Sequence, residues 1–309
     1  MATRRIMKAA KARGAAIMLA LWALFLLSAM VISWALDINS RLTNSGLTNR
    51  ALEAEAMACS GAEIALALPP NKPWSPLLKG SLARGQSFDA RITGEGGRLD
   101  LNKLIAGENP TRIEVLRKFL EVKGIDLNDR DHMIDCLLDW VDPDNLFRVN
   151  GAEDEPGYKP ADKPLTSLDE VKRIRGWEEF TSRADWDTDL TLNSGSGQID
   201  INWASRDVLL SLPGVTEANA DQFLTMRRGP DGIEGTEDDV NFKNIEEVGV
   251  ALGISVAQAR QLQGANLITF NDTVLRITSI GKSGTVTRTV RMVINKQGNS
   301  IRLLSWKEL

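Results

Sequence analysis

Histidine, cysteine and tyrosine are nearly missing from this chain of 309 residues, which holds one His, two Cys and one Tyr. His132 stands alone between Asp131 and Met133, and no Gly-x-Ser-x-Gly, His-Glu-x-x-His, P-loop or Cys-x-x-Cys pattern occurs, so the common hydrolase, metalloprotease, nucleotide and redox motifs are excluded. His132 reads as an ordinary helix residue. Asp139 and Asp142 could be pictured as an acid/base pair, but carboxylates three residues apart are commonplace, and the chain is not expected to be an enzyme. Cys59 and Cys136 could pair outside the cytoplasm. They fall in segments far apart in the chain, and two unpaired buried thiols are expected. The balance of 43% apolar and 25% charged residues is ordinary for a globular protein, and the length allows one large or two medium domains.

Acids are missing from residues 1–14, which hold Arg4, Arg5, Lys8, Lys11 and Arg13, and charge of either sign is missing from Ala15 to Leu36. At 1.5 Å per residue this uncharged run makes a helix of about 33 Å, enough to cross a bilayer core. The cations ahead of it would hold residues 1–14 in the cytoplasm and place the chain beyond Leu36 outside. Three fates fit: a signal peptide cut after Ser33-Trp34-Ala35, an uncut signal anchor, or a cut between Gly14 and Ala15. The run exceeds the roughly 7–15 residues of a signal-peptide core. Asp37 to Leu68 then continues without proline, with Leu42, Leu47, Leu52, Ala56, Cys59, Ile64 and Leu68 at loosely helical spacing, weakened by Gly46 and Gly61. Pro69-Pro70 ends it. An apolar span running on into an amphipathic helix favours the third fate. Net charge is −4; without the five leader cations, 32 basic residues of 37 remain against 41 acidic ones, or −9. That balance argues against a nucleic-acid or anionic-membrane surface.

After the Pro-rich linker 69–76, Gln86–Thr93 alternates as a strand, residues 94–97 make a turn and Arg98–Leu101 starts a return strand. Leu267–Ile280, Thr285–Asn295 and Ser300–Trp306 read as three strands joined by turns at 281–284 and 296–299. The middle one should bury one face, under the amino-terminal helix. Between the strand regions, apolar spacing predicts helices over 111–123, 129–141, 167–175, 207–212, 217–228, 244–252 and 256–263. Gly97-Arg-Leu-Asp-Leu-Asn102 is echoed by Gly197-Gln-Ile-Asp-Ile-Asn202, each ending in an Asn that could cap a helix.

Segments 166–176 and 207–228 resemble helix-hairpin-helix units. Such units bind DNA when backbone amides face a phosphate, but the second has Thr216 where glycine is wanted, so a packing role is expected. Two acid-rich loops, 139–155 and 230–239, carry clustered carboxylates, amides and glycines. They are either solvated loops or a supply of hard oxygens for calcium; neither has EF-hand spacing.

Lys11-Ala-Arg-Gly14 before Ala15 resembles the leader of type IV pilins and type II secretion pseudopilins. In that family a membrane-embedded peptidase cuts after the glycine and methylates the new terminus, here at Gly14 and Ala15. Most members carry a glutamate at the fifth mature residue, thought to pair with the terminal amine of a neighbouring subunit; here that position is Leu19. A carboxylate in lipid is costly unless paired, and its absence is typical of the K minor pseudopilin at the pseudopilus tip. Asp139-Trp-Val-Asp142, Asn150-Gly-Ala-Glu-Asp154, Leu165–Glu170 and Ile201–Ser205 also resemble that subunit, so the resemblance runs over nearly the whole chain.

What it implies is an α+β fold with a pilin-like long N-terminal helix packed on a small antiparallel sheet and a large all-helical domain inserted. The divisions would be a leader 1–14, a transmembrane helix 15–36, a helix-and-sheet domain 37–101 plus 264–309, and a helical insert 102–263. The implied function is capping the pseudopilus tip and starting its assembly, for export of folded proteins across the outer membrane. Implied partners are the I and J minor pseudopilins, a prepilin peptidase and the inner membrane, crossed once with the C-terminal domain in the periplasm; no nucleic acid is implied. Calcium is implied as a cofactor, carried over to Asp142, Asp144, Asn145, Asn150, Glu153, Asp154, Asp231, Glu237, Asp238 and Asp239. The alternatives are a secreted or anchored helix-hairpin-helix protein binding DNA, and a secreted metal-dependent hydrolase.

Overall fold

One helix, α1 (Ala2–Ala67), takes up the first fifth of the chain and is about 100 Å long at 1.5 Å per residue. The computed structural model describes residues 2–69, 74–83, 85–297 and 300–309, with side chains from Ile17 onward. Gly14 and Ala15, where cleavage is expected, lie outside the described side chains. Among the described residues α1 is the one helix long and apolar enough to cross a membrane, with a window of mean hydropathy 2.3. Its large apolar side chains from Ile17 to Leu36, Leu19 among them, are exposed.

Past Leu36 the helix changes character. Ala54, Met57, Ala58, Ala62 and Ala65 are buried, at the 3–4 residue spacing of one helix face. The larger Leu42, Leu47 and Leu52, expected from the sequence to carry the pattern, are exposed. The reason is close approach: a Cβ on Gly281 would collide with the backbone of Ala54 and Ala58, and one on Gly61 with Ser279 and Phe88. Small residues let the helix lie against the sheet, and leucines on this face would push it off. Lys296 completes the contact, its Nζ donating to the carbonyls of Leu66 (2.8 Å) and Leu68 (2.5 Å) at the end of α1, where terminal carbonyls lack helical partners.

The chain continues through β1 (Lys79–Ala83), β2 (Gln86–Gly94), β3 (Leu99–Asp100), α2 (Leu101–Ile105), α3 (Pro110–Val122), α4 (Leu127–Val141) and α5 (Glu178–Ser182). Then come β4 (Leu190–Thr191), β5 (Ile199–Asp200), α6 (Arg206–Leu210), α7 (Glu217–Arg227), α8 (Ile245–Ala251) and α9 (Val256–Gly264). It closes with β6 (Ile268–Thr269), β7 (Val274–Ser283), β8 (Val286–Gln297) and β9 (Ser300–Glu308). Five strands form one antiparallel sheet in the order β1-β2-β7-β8-β9. α1 covers β2, β7 and β8, and Ala58, Ala62, Ala65, Ile277, Val290, Met292 and Ile294 make one core there. A second, larger core runs through the helical body from Leu99 to Ile268, around Trp177, Phe119, Phe180 and Phe223.

Several sequence expectations are corrected. Arg98–Leu101 is not the return strand of a hairpin with 86–93: residues 95–97 form a 3-10 turn, and β3 pairs in parallel with β4, far along the chain. β1 was not anticipated. The strand expected over 267–280 is broken at Asp272, whose carboxylate accepts from Gly195 N–H and Val274 N–H while its own N–H donates to Asp200. Residues 168–173 are 3-10 rather than α-helical. β8 buries residues on both faces, Val293 as well as Met292, because the helical body covers the face that α1 does not. Arg276, Arg291 and Lys307 on that face pair with Glu95, Asp187 and Asp169 of the body.

The echo of 97–102 at 197–202 is structural. β3 and β5 each pair in parallel with a later two-residue strand, β4 and β6. The Asn residues do not cap helices. Asn102 clamps the backbone of Leu165 with its amide, accepting at 2.9 Å and donating at 2.8 Å, and Asn202 does the same to Phe242 at 2.8 and 2.9 Å. Asp100 accepts from Lys103 N–H and Asp200 from Asn202 N–H.

Candidate functional site

The first acidic loop follows α4, and the last turn of that helix aims Asp139 inward, where it is fully buried. Asp142 sits at the C-cap. The chain folds back at Gly151, where a Cβ would strike the Asp139 carboxylate, and this return brings in Glu153. Oxygens of Asp139, Asp142 and Glu153 come within 4.8 Å of one another. Arg148 lies across two of the three, its guanidinium donating to Asp139 (2.5 Å), Asp142 (2.5 Å) and, at the outer edge, Glu108 (2.7 Å).

Arg148 leaves the cluster incompletely satisfied. Both carboxylate oxygens of Glu153 and one of Asp142 are buried without a hydrogen-bond partner. Burial, followed by the charges of Asp139, Asp142, Asp162 and Asp144, pushes the Glu153 carboxyl up to about 7. Buried carboxylate oxygens with open lone pairs are what a divalent cation satisfies, at oxygen distances of about 2.3–2.6 Å for calcium.

The other sequence-nominated positions fall around this cluster or away from it. Asp144 is exposed and turns back on Leu146 N–H, and Asn145 and Asp154 are exposed. The Asn150 side chain is held by Asp135, and its carbonyl accepts from His132 Nδ1. In the second loop Asp231, Asp238 and Asp239 accept N–H groups of their own loop, from Ile233, Asp231 and Gly235. Asp238 also takes the Thr236 hydroxyl, which leads in holding its carboxyl below the usual range. One Asp239 oxygen stays unpartnered, and Glu237 is exposed. Asp139 and Arg148 were absent from the sequence-derived ligand set. Asp139 carried a signal, its place in Asp-Trp-Val-Asp, whereas an Arg in an acidic loop carries none.

Cys136 lies one helical turn from His132, with Sγ 3.6 Å from Nδ1. The pair is not a nucleophile: burial first, then Asp139, pushes the thiol up to about 12, and the reactive form is the thiolate. The hairpin α6–α7 offers no phosphate site either. Thr216 and Asn219 form a capping box at the start of α7, and Glu217 and Asp221 both pair with Arg206.

The family model described as type II secretion system (T2SS), protein K matches residues 97–184. Type II secretion system protein K of Dickeya chrysanthemi is 30% identical over 71 residues, and the chain spans 20% of that protein's length. Among solved structures, a chain of the GspK-GspI-GspJ complex from the enterotoxigenic Escherichia coli type 2 secretion system matches 87% of this chain and 99% of its own length. The TM-score is 0.61 at 15% identity; at that identity the likeness is one of fold.

Proposed function

We propose that this chain is a type II secretion system protein K, the minor pseudopilin that caps the tip of the pseudopilus and starts its assembly. One observation carries the reading: the bulk of the molecule stands at the end of α1 away from the apolar span. The body joins the sheet through Asp272 and Arg276, beside the strand ends where Lys296 holds the last carbonyls of α1. A rod with its membrane segment at one end and a broad body at the other can accept subunits below but not above. Leu19 agrees with this position, since a first subunit has no neighbour ahead whose terminal amine would need a carboxylate. I and J minor pseudopilins are the partners below, the prepilin peptidase processes the leader, and the body lies in the periplasm.

Mass spectrometry of the mature protein from membranes tests the processing: a methylated Ala15 is expected, and a terminus near Leu36 would sink the proposal. Leu19→Glu tests the tip position. It is expected to lower secretion and pseudopilus number, and unchanged function would remove the main support for a subunit with nothing ahead of it.

The same reading includes a calcium ion at the first acidic loop. Asp139, Asp142 and Glu153 would hold it, with the unpartnered oxygens of Asp142 and Glu153 as support. The ion would neutralise the cluster and tie the loop to the end of α4. No bond-making step is ascribed to it.

A further inference from the structure

β9 carries an apolar row that nothing among the described residues covers. Its register with β8 pairs Trp306 with Met292, Leu303 with Ile294 and Ile301 with Lys296. Met292 and Ile294 belong to the core beneath α1, and Lys296 reaches α1 itself. Opposed residues in a sheet share a face, so Trp306, Leu303 and Ile301 extend the α1-facing surface by one strand. Buried under β2, β7 and β8, that surface is bare at β9, where these three residues are 40–54% exposed.

Geometry states what would fit. α1 lies over β7, flanked by β2 and β8. β9 is two strands further on, about 10 Å from β7 at 4.7–4.9 Å per strand. Helices pack side by side at 8–10 Å, so a second helix alongside α1 would rest on β9. The row from Ile301 to Glu308 is about 24 Å long, the length of about sixteen helical residues.

Charge states what that helix carries. Glu55, Cys59 and Glu63 form a stripe on α1 at four-residue spacing, and Glu308 closes the groove on β9. The three carboxylates lie near enough to Cys59 to act with burial, the leading cause, in holding its thiol above the usual range. None of the three forms an ion pair among the described residues. From this geometry we infer that the groove between α1 and β9 receives an amphipathic helix of a neighbouring subunit, its apolar stripe on Leu303 and Trp306 and its Lys or Arg side chains on Glu55, Glu63 and Glu308. The inference deepens the tip reading and rests on it, since the neighbours available there are I and J.

The test uses the full chain in membranes, expressed with tagged I and J subunits of the same system. Leu303→Arg is expected to lower their capture at least tenfold, and Glu63→Lys to lower it several-fold. Val250→Arg, on the exposed face of α8, should capture as the parent does. In a Cys59→Ser background, Leu303→Cys should react with a maleimide in the chain alone and be protected when I and J are present. Normal capture by both groove variants with unprotected labelling would overturn the groove and leave the tip reading standing. Cross-linking through position 303 to a second copy of this chain would overturn the choice of occupant. Failure of the parent chain to capture either subunit would overturn the tip reading and the groove with it.

Discussion

Arg276→Met should separate the helical body from the sheet at a measurable cost. Arg276 is 5% exposed and Glu95 fully buried, and they meet through two hydrogen bonds, from Nε at 2.6 Å and from the guanidinium end at 2.7 Å. The Thr191 hydroxyl also donates to Glu95, and Arg98 stands 3.4 Å away. Methionine would leave the carboxylate buried with only these two. Removing one partner of a buried pair costs about 3–5 kcal/mol, and the presence of Arg98 places this site at the lower end, about 3 kcal/mol. At about 2.1 cal/mol/K of unfolding entropy per residue, that is a fall in Tm of about 5 °C for a chain of this length, read by circular dichroism of the full chain in detergent. The double change Glu95→Leu with Arg276→Met removes both charges and should regain most of the loss, because the cost lies in the uncompensated carboxylate. A shift under about 2 °C in the single variant, or a double variant no better than the single, would refute the argument that this pair governs the joint.

Gly281→Ala should lift α1 from the sheet, since the obstructing atoms are backbone of Ala54 and Ala58; a loss of about 3 kcal/mol is expected, the upper end for overpacking, with faster maleimide labelling of Cys59. Calcium should raise the Tm of the parent chain over its value in EGTA, and Asp142→Asn or Glu153→Gln should abolish the rise; at a hundredfold excess over Kd the stabilisation would be about 2.7 kcal/mol. Burial leads in pushing the Asp200 carboxyl up to about 6. The folded state therefore holds this proton more tightly than the unfolded chain, and stability falls as pH rises from about 4 to about 6, by about 3 kcal/mol at 1.36 kcal/mol per unit. Denaturant unfolding at pH 4, 5 and 7 should show that part of the slope vanish in Asp200→Asn.

The helices α3, α4 and α6 to α9 could be read from local signals, whereas α2 and α5, of five residues each, could not. Asn109 before Pro110 caps α3, Asn244 caps α8, and Ser255 with Gln258 boxes α9, each ahead of an apolar run at helical spacing. β2, β7, β8 and β9 of the main sheet run for nine residues or more, long enough for a strand pattern to be informative, while β1 has five. The two-residue pairs β3–β4 and β5–β6 could not be read, because two residues carry no period and their partners lie some seventy to ninety positions away. The packing face of α1 was misread for a different reason. Leucine is the usual mark of a buried stripe, but α1 comes closest to β7 at Gly281, and beside that glycine, at Ala54 and Ala58, the helix carries alanine.

The two acidic loops show why composition alone left the site undecided. Residues 139–155 hold six carboxylates and 230–239 five, and they use them differently. In 229–239, Gly229, Gly232 and Gly235 take positive φ, and N–H groups of the same loop reach Asp231, Asp238 and Asp239. Most of that negative charge is absorbed by the loop's own backbone. In 139–153 the carboxylates come from a helix end and the loop that returns past Gly151, and among the described residues the backbone gives the cluster one N–H, from Arg148 to Asp139. Charge then gathers that a single guanidinium, Arg148, meets only in part. The distinguishing quantity is the number of buried carboxylate oxygens left over, two on Glu153 and one on Asp142 against one on Asp239. That number depends on chain reversal at Gly151 and on the depth of Asp139, neither of which is a property of residue counts. The first loop is therefore where a divalent cation should change stability. The second, already held by its own N–H groups, should respond little to the same ion.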